Sequence, residues 1–355
     1  MPRPNQASDA DLSIVFQGPI LGRRGDPEAK RFTKTGLSSA RNYFPRSELI
    51  LSTWEEFGGE EFTEDLDFDE LILNRDPGSC LRKDSPPTYH NVNRQIVSTS
   101  NGLRRASRPL AIKARSDVEF IHAKLLGFFG RYTLFDERYR VIEARACVSQ
   151  RTTINPSRLF PLAYHVCDWF FFGLKSDLLD LFDIPLFPEP LYTRWYEHRP
   201  KPVNDFDPTN YCRYMPEDYL WSTFLKKHKN IAHEYYSHIS SAIIGESERF
   251  LANNVVILPD AYLGIKSQKY SAYAAHHLLK CYTFREWERL YHLYSGGANP
   301  TARDWALMHN YVAHQLYRLM NPCIQVLKPV VKPVVVKLRI LSATQRFRAR
   351  SAIRS

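Results

Sequence analysis

The sequence lacks any uninterrupted apolar run near the roughly 18 residues that a membrane-spanning helix requires. Its first ten residues contain no apolar stretch, so we expect no secretory leader at this end. Both absences predict a protein that is soluble or attached only to the surface of a membrane.

Cysteine is sparse, and the pattern CxxC does not occur among Cys80, Cys147, Cys167, Cys212, Cys281 and Cys323. This wide spacing argues against a zinc site or a dense disulfide scaffold. The histidines also lack ligand spacing, and P-loop, GxGxxG, GxSxG and HExxH motifs are absent. We therefore expect a reducing compartment and a cytoplasmic protein.

Acidic residues are absent from 321–355, which carries eight of the Lys and Arg residues. The whole chain has a formal charge of +10, so the body without this tail carries 10 − 8 = +2. Such a body, without a recognisable nucleic-acid-binding motif, argues against nucleic acid as a partner. The basic tail predicts either contact with an anionic membrane surface or a merely solvated segment.

Strands and helices alternate along the first part of the chain. Apolar runs predict strands at residues 12–16, 48–54, 70–73 and 110–120, and helical spacing predicts helices at 28–43 and 91–106. Further segments are predicted at 168–173 (an aromatic strand), 216–227 (a helix) and 272–320 (mainly helical). This order predicts an α/β fold with a mostly parallel sheet flanked by helices and a helical C-terminal region.

An acidic pair, Asp117 and Glu119, ends the predicted strand at 110–120. Side chains alternate along a strand, so both carboxylates are expected on one side. At the carboxyl end of a strand in an open α/β sheet they could hold Mn²⁺ or Mg²⁺. The metal would neutralise a diphosphate leaving group, and this arrangement would suit transfer from a nucleotide-diphospho-sugar. The alternative is a solvated strand end.

The order of several segments resembles the WavE family of lipopolysaccharide synthesis proteins. The resemblance covers roughly residues 11–265 and is carried by LSIVFQGPI, ELILSTW, NRDPG, NVNRQIVSTSNGLRRA, IKARSDVEF, DWFFFGLKSDLLDLF and PEDYLWSTFL. It implies a role in bacterial surface-polysaccharide or lipopolysaccharide core assembly. It also implies a GT-A-like, Rossmann-like fold with a DxD-type element, here Asp-Val-Glu, whose third residue departs from the usual Asp.

In a fold of this GT-A-like kind, the turns after the first and third strands are candidate contacts for the nucleotide sugar. Backbone groups of Gln17, Gly18 and Pro19 would meet the nucleotide, or else form an ordinary turn. Asp76 could accept hydrogen bonds from a base or ribose, or only shape the turn before Pro77.

Asn93 and Arg94, on the helix before the acidic pair, are further nucleotide-sugar candidates. Arg94 could bind phosphate through its guanidinium fork or form a surface salt bridge. Arg115 lies on the same predicted strand face as Asp117. It could contact phosphate, order the acidic pair, or only neutralise it.

The acceptor site is predicted at Asp168 and Trp169, with Trp169 stacking on a sugar. Glu217 and Asp218 begin a helix and are candidates for the catalytic base, since an inverting transfer needs a carboxylate to take the acceptor proton. The alternative is a pair that only stabilises the helix dipole. A retaining reaction stays open.

Four regions are expected: a disordered lead-in (1–10), a GT-A-like domain (11–265), a helical extension (266–320) and the basic tail (321–355). The predicted function is a hexosyltransferase that uses an oligosaccharide or lipid-linked acceptor at the cytoplasmic face of the inner membrane. The alternative is a non-catalytic assembly protein that keeps a nucleotide-sugar-binding fold.

Overall fold

The computed structural model describes residues 7–22, 30–84, 87–158, 160–201, 210–267 and 280–296. Its strands are β1 (Leu12–Gln17), β2 (Glu48–Trp54), β3 (Glu70–Asn74), β4 (Cys80–Asp84), β5 (Pro87–His90), β6 (Leu110–Arg115), β7 (Val118–Phe120), β8 (Ala146–Ser149), β9 (Phe170–Leu174), β10 (Val255–Leu258) and β11 (Ile265–Ser267). Its α-helices are α1 (Arg31–Tyr43), α2 (Glu60–Thr63), α3 (Val92–Arg105), α4 (Lys175–Phe182), α5 (Pro216–His228), α6 (Ser241–Asn254), α7 (Asp260–Leu263) and α8 (Phe284–Tyr294).

Seven strands form the central sheet, in the order β10-β8-β9-β6-β1-β2-β3. Strand β9 is antiparallel to both of its neighbours, β6 and β8. The other pairings in this sheet are parallel. The predicted mostly parallel sheet is therefore confirmed, and the carboxyl ends of six strands meet at one edge together with the amino end of β9.

Helices cover the sheet, which explains why its central strands are continuous apolar runs. Every residue of β1 is buried, and so are six of the seven residues of β2. Strands buried on both faces have no need of polar alternation. Helix α3 approaches β1 so closely that a Cβ atom on Gly102 would lie 2.3 Å from Val15 Cγ1. Glycine at that position thus sets the distance between helix and sheet.

The predicted single strand at 110–120 is wrong, because the chain turns in its middle. Strand β6 ends at Arg115, and β7 leaves the main sheet to pair antiparallel with β11. The Phe120 ring packs edge-on against Phe16 and Phe44 in the core. Burying Val118 and Phe120 in the core requires the turn at 116–117, which places the acidic pair on two different segments.

A hairpin of β4 and β5 interrupts the predicted alternation between β3 and α3. Its strands carry few of the apolar residues that reveal a strand in the sequence. The hairpin contacts the segment before α5, since Leu81 N–H donates to Glu189 Oε1 at 3.1 Å.

Order begins earlier than the predicted lead-in of residues 1–10 suggests. Asp9–Asp11 forms a 3-10 helix capped by the Ser8 hydroxyl, and Asp9 accepts hydrogen bonds from Arg46. Residues 1–6 lie outside the described part of the chain.

Within the predicted helical extension, the described helix is α8, which starts with a capping box of Thr283 and Glu286. Its buried Trp287 belongs to the same apolar cluster as the central sheet. The predicted basic tail lies outside the described residues. Among the described residues, no helix combines the length and apolar character needed to cross a bilayer.

The cysteines in the described ranges are buried free thiols: Cys80, Cys147, Cys167, Cys212 and Cys281. Burial raises the pKa of Cys147 to about 12, so this thiol stays protonated at neutral pH.

Candidate functional site

A pocket of about 350 Å³ opens at the carboxyl edge of the parallel strands. This edge is where α/β sheets bind ligands. Eight of the residues predicted from the sequence line it: Gln17, Gly18, Pro19, Arg94, Arg115, Asp168, Trp169 and Glu217. Asp76, Asn93, Asp117, Glu119 and Asp218 do not belong to its lining.

The turn after β1 forms one wall and is held by hydrogen bonds to neighbouring elements. Gln17 Oε1 accepts from the Ser98 hydroxyl at 2.8 Å, and Gly18 N–H donates to the Ser52 carbonyl at 3.1 Å. The Ser116 hydroxyl donates to the Pro19 carbonyl at 2.6 Å. Gly18 has φ +110°, where a side chain would be strained. The turn is thereby fixed in shape, with its backbone beside the pocket.

Arg94 projects from the first turn of α3 and is held by Asp76. Its Nε and Nη2 donate to the two Asp76 carboxylate oxygens at 2.8 and 2.5 Å, and its Nη1 donates to Asn91 Oδ1 at 3.2 Å. The guanidinium also lowers the pKa of Asp76. Asp76 thus orients an arginine of the pocket, instead of facing the pocket as predicted.

Arg115, the last residue of β6, is held in the same manner by Asp117. Its Nε and Nη2 donate to the two Asp117 oxygens at 3.0 and 3.1 Å. The guanidinium carbon lies 4.4 Å from the centre of the Trp169 ring. The Asp117 side chain has no exposed surface, whereas 23% of the Arg115 side chain is exposed. The arginine therefore faces the pocket and the aspartate stands behind it.

Glu119 is engaged elsewhere, and its carboxylate accepts from Lys266 Nζ at 2.6 Å across the β7–β11 pair. The two acids predicted to hold a metal are therefore each bound to a cation, and Asp117 is shut off from solvent. Among the described residues, no group of three or more His, Cys, Asp or Glu side chains has the arrangement of a metal site. In this conformation the acidic pair does not fit a metal–diphosphate site.

Asp168 lies just before β9 and, with the adjacent Trp169, lines the pocket. Its backbone carbonyl accepts from Gln95 Nε2 at 2.7 Å and from the fully buried Lys113 ammonium. Its Oδ1 atom is buried and has no hydrogen-bond partner among the described residues. Burial, together with the charge of Glu217, raises the pKa of Asp168.

Glu217 reaches the pocket from the first turn of α5, after Pro216 at the helix start. Burial raises the pKa of this carboxyl too. Its Oε2 atom lies 3.5 Å from His165 Nε2, and His165 Nδ1 bonds the Thr152 carbonyl at 2.9 Å. A carbonyl only accepts, so Nδ1 carries the ring proton and Nε2 of the neutral imidazole is an acceptor beside Glu217.

Asp218, the neighbouring candidate, points into the protein. Its side chain is fully buried and its Oδ1 atom lies 2.7 Å from His233 Nε2. The structure thus separates two acids that the sequence left equivalent, and only Glu217 reaches the pocket.

Asn93 is a structural residue in this fold. Its side chain accepts from Phe187 N–H at 2.6 Å and donates to the Phe187 carbonyl at 3.3 Å. It thereby fixes the segment before α5 to helix α3, instead of facing the pocket as predicted.

Sequence reasoning missed half of the pocket lining: Leu21, Trp54, Glu56, Asn91, Val92, Gln95, Ser116 and Pro216. Trp54 was within reach, because it is the last residue of β2 and strand ends gather at this edge. For Gln95, no feature of the sequence indicated a position at this edge of the sheet. Its position depends on how α3 rests against the sheet.

The pocket thus brings together two guanidinium groups, those of Arg94 and Arg115, and two carboxyl groups of raised pKa, those of Asp168 and Glu217. Such a set of groups suits a reaction in which an anionic group departs while a proton is removed nearby.

A family model described as WavE lipopolysaccharide synthesis matches residues 12–321. The match includes all of the pocket-lining residues. No curated protein matches the chain.

Proposed function

The chain belongs to the WavE lipopolysaccharide synthesis family, and from this premise we propose that it is a glycosyltransferase. It moves a sugar from a nucleotide-sugar donor to a lipopolysaccharide core or another surface-polysaccharide acceptor. The single observation that carries this proposal is the pocket at the carboxyl edge of the sheet, which combines two arginines with two carboxyl groups of raised pKa.

The donor lies against the Gln17-Gly18-Pro19 turn, with its phosphates toward Arg94 and Arg115. A fixed turn with its backbone beside the pocket offers hydrogen bonds to a nucleotide. Guanidinium groups recognise phosphate through paired N–H donors. This arrangement leaves the sugar directed toward Asp168 and Glu217.

Glu217 is the catalytic base of the proposed reaction. The acceptor oxygen forms a bond to the anomeric carbon while the bond from that carbon to the donor phosphate oxygen breaks. The electron pair of the broken bond leaves with the nucleotide, and the acceptor proton moves to Glu217. From there it can pass to His165 Nε2, which lies 3.5 Å away. Direct attack of this kind inverts the anomeric carbon, in line with the expected stereochemistry.

In this proposal the acceptor sugar lies near Asp168 and Trp169, the residues named as acceptor candidates from the sequence. Asp168 has a carboxylate oxygen that lacks a hydrogen-bond partner among the described residues, which suits a sugar hydroxyl close by. The Trp169 ring already contacts Arg115 and Arg151, at 4.4 and 5.1 Å from its centre. Stacking of a sugar on this ring therefore has to share the ring with two guanidinium groups.

A screen of nucleotide sugars tests the proposal most directly. The full chain is mixed with single donors and a lipopolysaccharide core fraction, and free nucleotide is measured. We expect one donor to raise the melting temperature and to release nucleotide when acceptor is added, and Glu217→Gln to bind that donor without turnover. If no donor binds, the enzyme assignment fails and the non-catalytic assembly protein is favoured.

A further inference from the structure

Arg115 occupies the place where the sequence predicts a metal ion. The residues of the Asp-Val-Glu segment present no carboxylate to the pocket, because Asp117 is fully buried and Glu119 is bound to Lys266. Instead, the guanidinium of Arg115, two residues before this segment, lines the pocket.

The two arginines of the pocket share one construction. In each, Nε and Nη2 donate to both oxygens of an aspartate that does not line the pocket: Asp117 for Arg115 and Asp76 for Arg94. A guanidinium held along one edge has a fixed plane and direction, so little side-chain entropy is lost when it binds an anion. Both aspartates therefore aim a positive charge.

Helix α3 adds positive potential at the same place. Its N-cap residue, Asn91, makes no side-chain cap, and Asn91, Val92 and Arg94 from this end of the helix line the pocket. The amino end of a helix favours a nearby anion through its N–H groups and its dipole. Arg115 and Arg94 thus act together with a helix end of the same sign.

We infer, on the basis of the proposed function, that Arg115 and Arg94 themselves neutralise the donor phosphates and that donor binding requires no divalent cation. Asp117 is then a positioning residue for Arg115 and not a metal ligand. When the glycosidic bond breaks, the negative charge that forms on the departing phosphate oxygen is met by these guanidinium groups.

Nucleotide binding by the full chain, with and without metal, tests this directly. UDP, GDP, ADP and CMP are titrated by calorimetry in EDTA and again in Mn²⁺. We expect one nucleotide to bind in EDTA with an affinity within about threefold of that in Mn²⁺. Binding in Mn²⁺ that weakens more than about tenfold in EDTA overturns the inference and leaves the glycosyltransferase proposal intact. Absence of binding in both buffers counts against both.

A double-mutant cycle separates positioning from ligation. Arg115→Met should weaken nucleotide affinity in EDTA about 10- to 100-fold, since a hydrogen bond to a charged group is lost. Asp117→Asn should weaken it less, about 3- to 10-fold, and should add nothing in the Arg115→Met background. Two losses that multiply would show that Asp117 acts without Arg115, against the inference.

Arg104→Met is the matched control, because Arg104 also pairs with an aspartate, Asp183, but lies outside the pocket lining. Its nucleotide affinity should equal that of the unchanged chain. Arg115→Lys keeps the positive charge, and it allows the inference to be tested even if the methionine variant does not fold. It should recover part of the affinity if charge on the phosphate is what matters, and recovery of none would contradict the inference.

Discussion

Two arginines of the pocket, Arg94 and Arg115, are each held by an aspartate through two hydrogen bonds. Two carboxyl groups of the pocket, those of Asp168 and Glu217, lie in surroundings that raise the pKa of both. The arginines are therefore oriented before any ligand arrives. Asp168, in contrast, has a buried carboxylate oxygen without a hydrogen-bond partner in the described part of the chain.

This difference between the arginines and the carboxyl groups follows from the roles proposed for them. A group that binds a departing anion works best when it is already oriented, because no reorganisation then accompanies the reaction. A group that takes a proton near neutral pH works best when its charged form is disfavoured, which burial achieves. One pocket therefore combines stabilised cations with destabilised anions.

Glu217→Gln should give the largest effect, because it removes the proposed proton acceptor and keeps the size of the side chain. We expect turnover to fall about 10²- to 10⁴-fold and donor affinity to change little. Steady-state rates of nucleotide release and calorimetry of donor binding measure the two quantities. Unchanged turnover would remove Glu217 from the mechanism.

Asp218→Asn is the natural comparison, since it alters the adjacent acid on the same helix. Asp218 is buried against His233 at 2.7 Å, so its loss should lower the free energy of unfolding by about 1–3 kcal/mol. Turnover per folded molecule should be retained. If Asp218→Asn abolishes turnover in folded protein and Glu217→Gln does not, the two assignments are reversed.

Arg94→Met should act mainly on donor affinity. We expect the donor KM to rise about tenfold or more, because a charge-assisted contact to phosphate is lost. Asp76→Asn should raise it less, since the arginine stays but is held less firmly. A large fall in kcat with an unchanged KM would show that Arg94 does not hold the ground-state donor.

The pH dependence of kcat should reflect the titration of Glu217. Glu217 acts as base only when deprotonated, and burial raises its pKa, so activity should fall with decreasing pH at values above the ordinary glutamate pKa of about 4.3. Arginine does not titrate in this range. If kcat falls only at a pH equal to or below the ordinary glutamate pKa, the base is a well-solvated carboxylate.

The smallest expected effect is a gain in stability on Glu217→Gln. Because the folded state raises the pKa of Glu217, its stability contribution is complete below the unfolded pKa and is lost as pH rises through the folded value. The glutamine variant does not lose this stability, because its side chain does not ionise. It should be more stable than the unchanged chain at pH 7.5, and this gain should be smaller at pH 4. Denaturant unfolding at both pH values measures this, and a destabilised variant at pH 7.5 would contradict the burial argument.

Local signals in the sequence were enough for the sheet edge and much of its lining. Gln17-Gly18-Pro19 could be found because an apolar run ends there, and Glu217 because it follows a proline at a helix start. Residues whose role depends on a distant partner were not predicted correctly. Asp117 was predicted to bind a metal, but both of its carboxylate oxygens accept hydrogen bonds from Arg115. Asn93 was predicted to contact the nucleotide sugar, but its side-chain oxygen accepts a hydrogen bond from Phe187 N–H.

The sequence by itself determined the alternation of strands and helices, the carboxyl edge as the place for the site, and the membership in the family. The first two follow from periodicity and from turn residues, which act over a few neighbouring positions. The third rests on the order of several segments that resembles the family, and the family model matches residues 12–321. Only the tertiary structure decided which acids face the pocket. That choice depends on burial and on partners far along the chain, as when Asp218 turns to His233 while Glu217 meets His165.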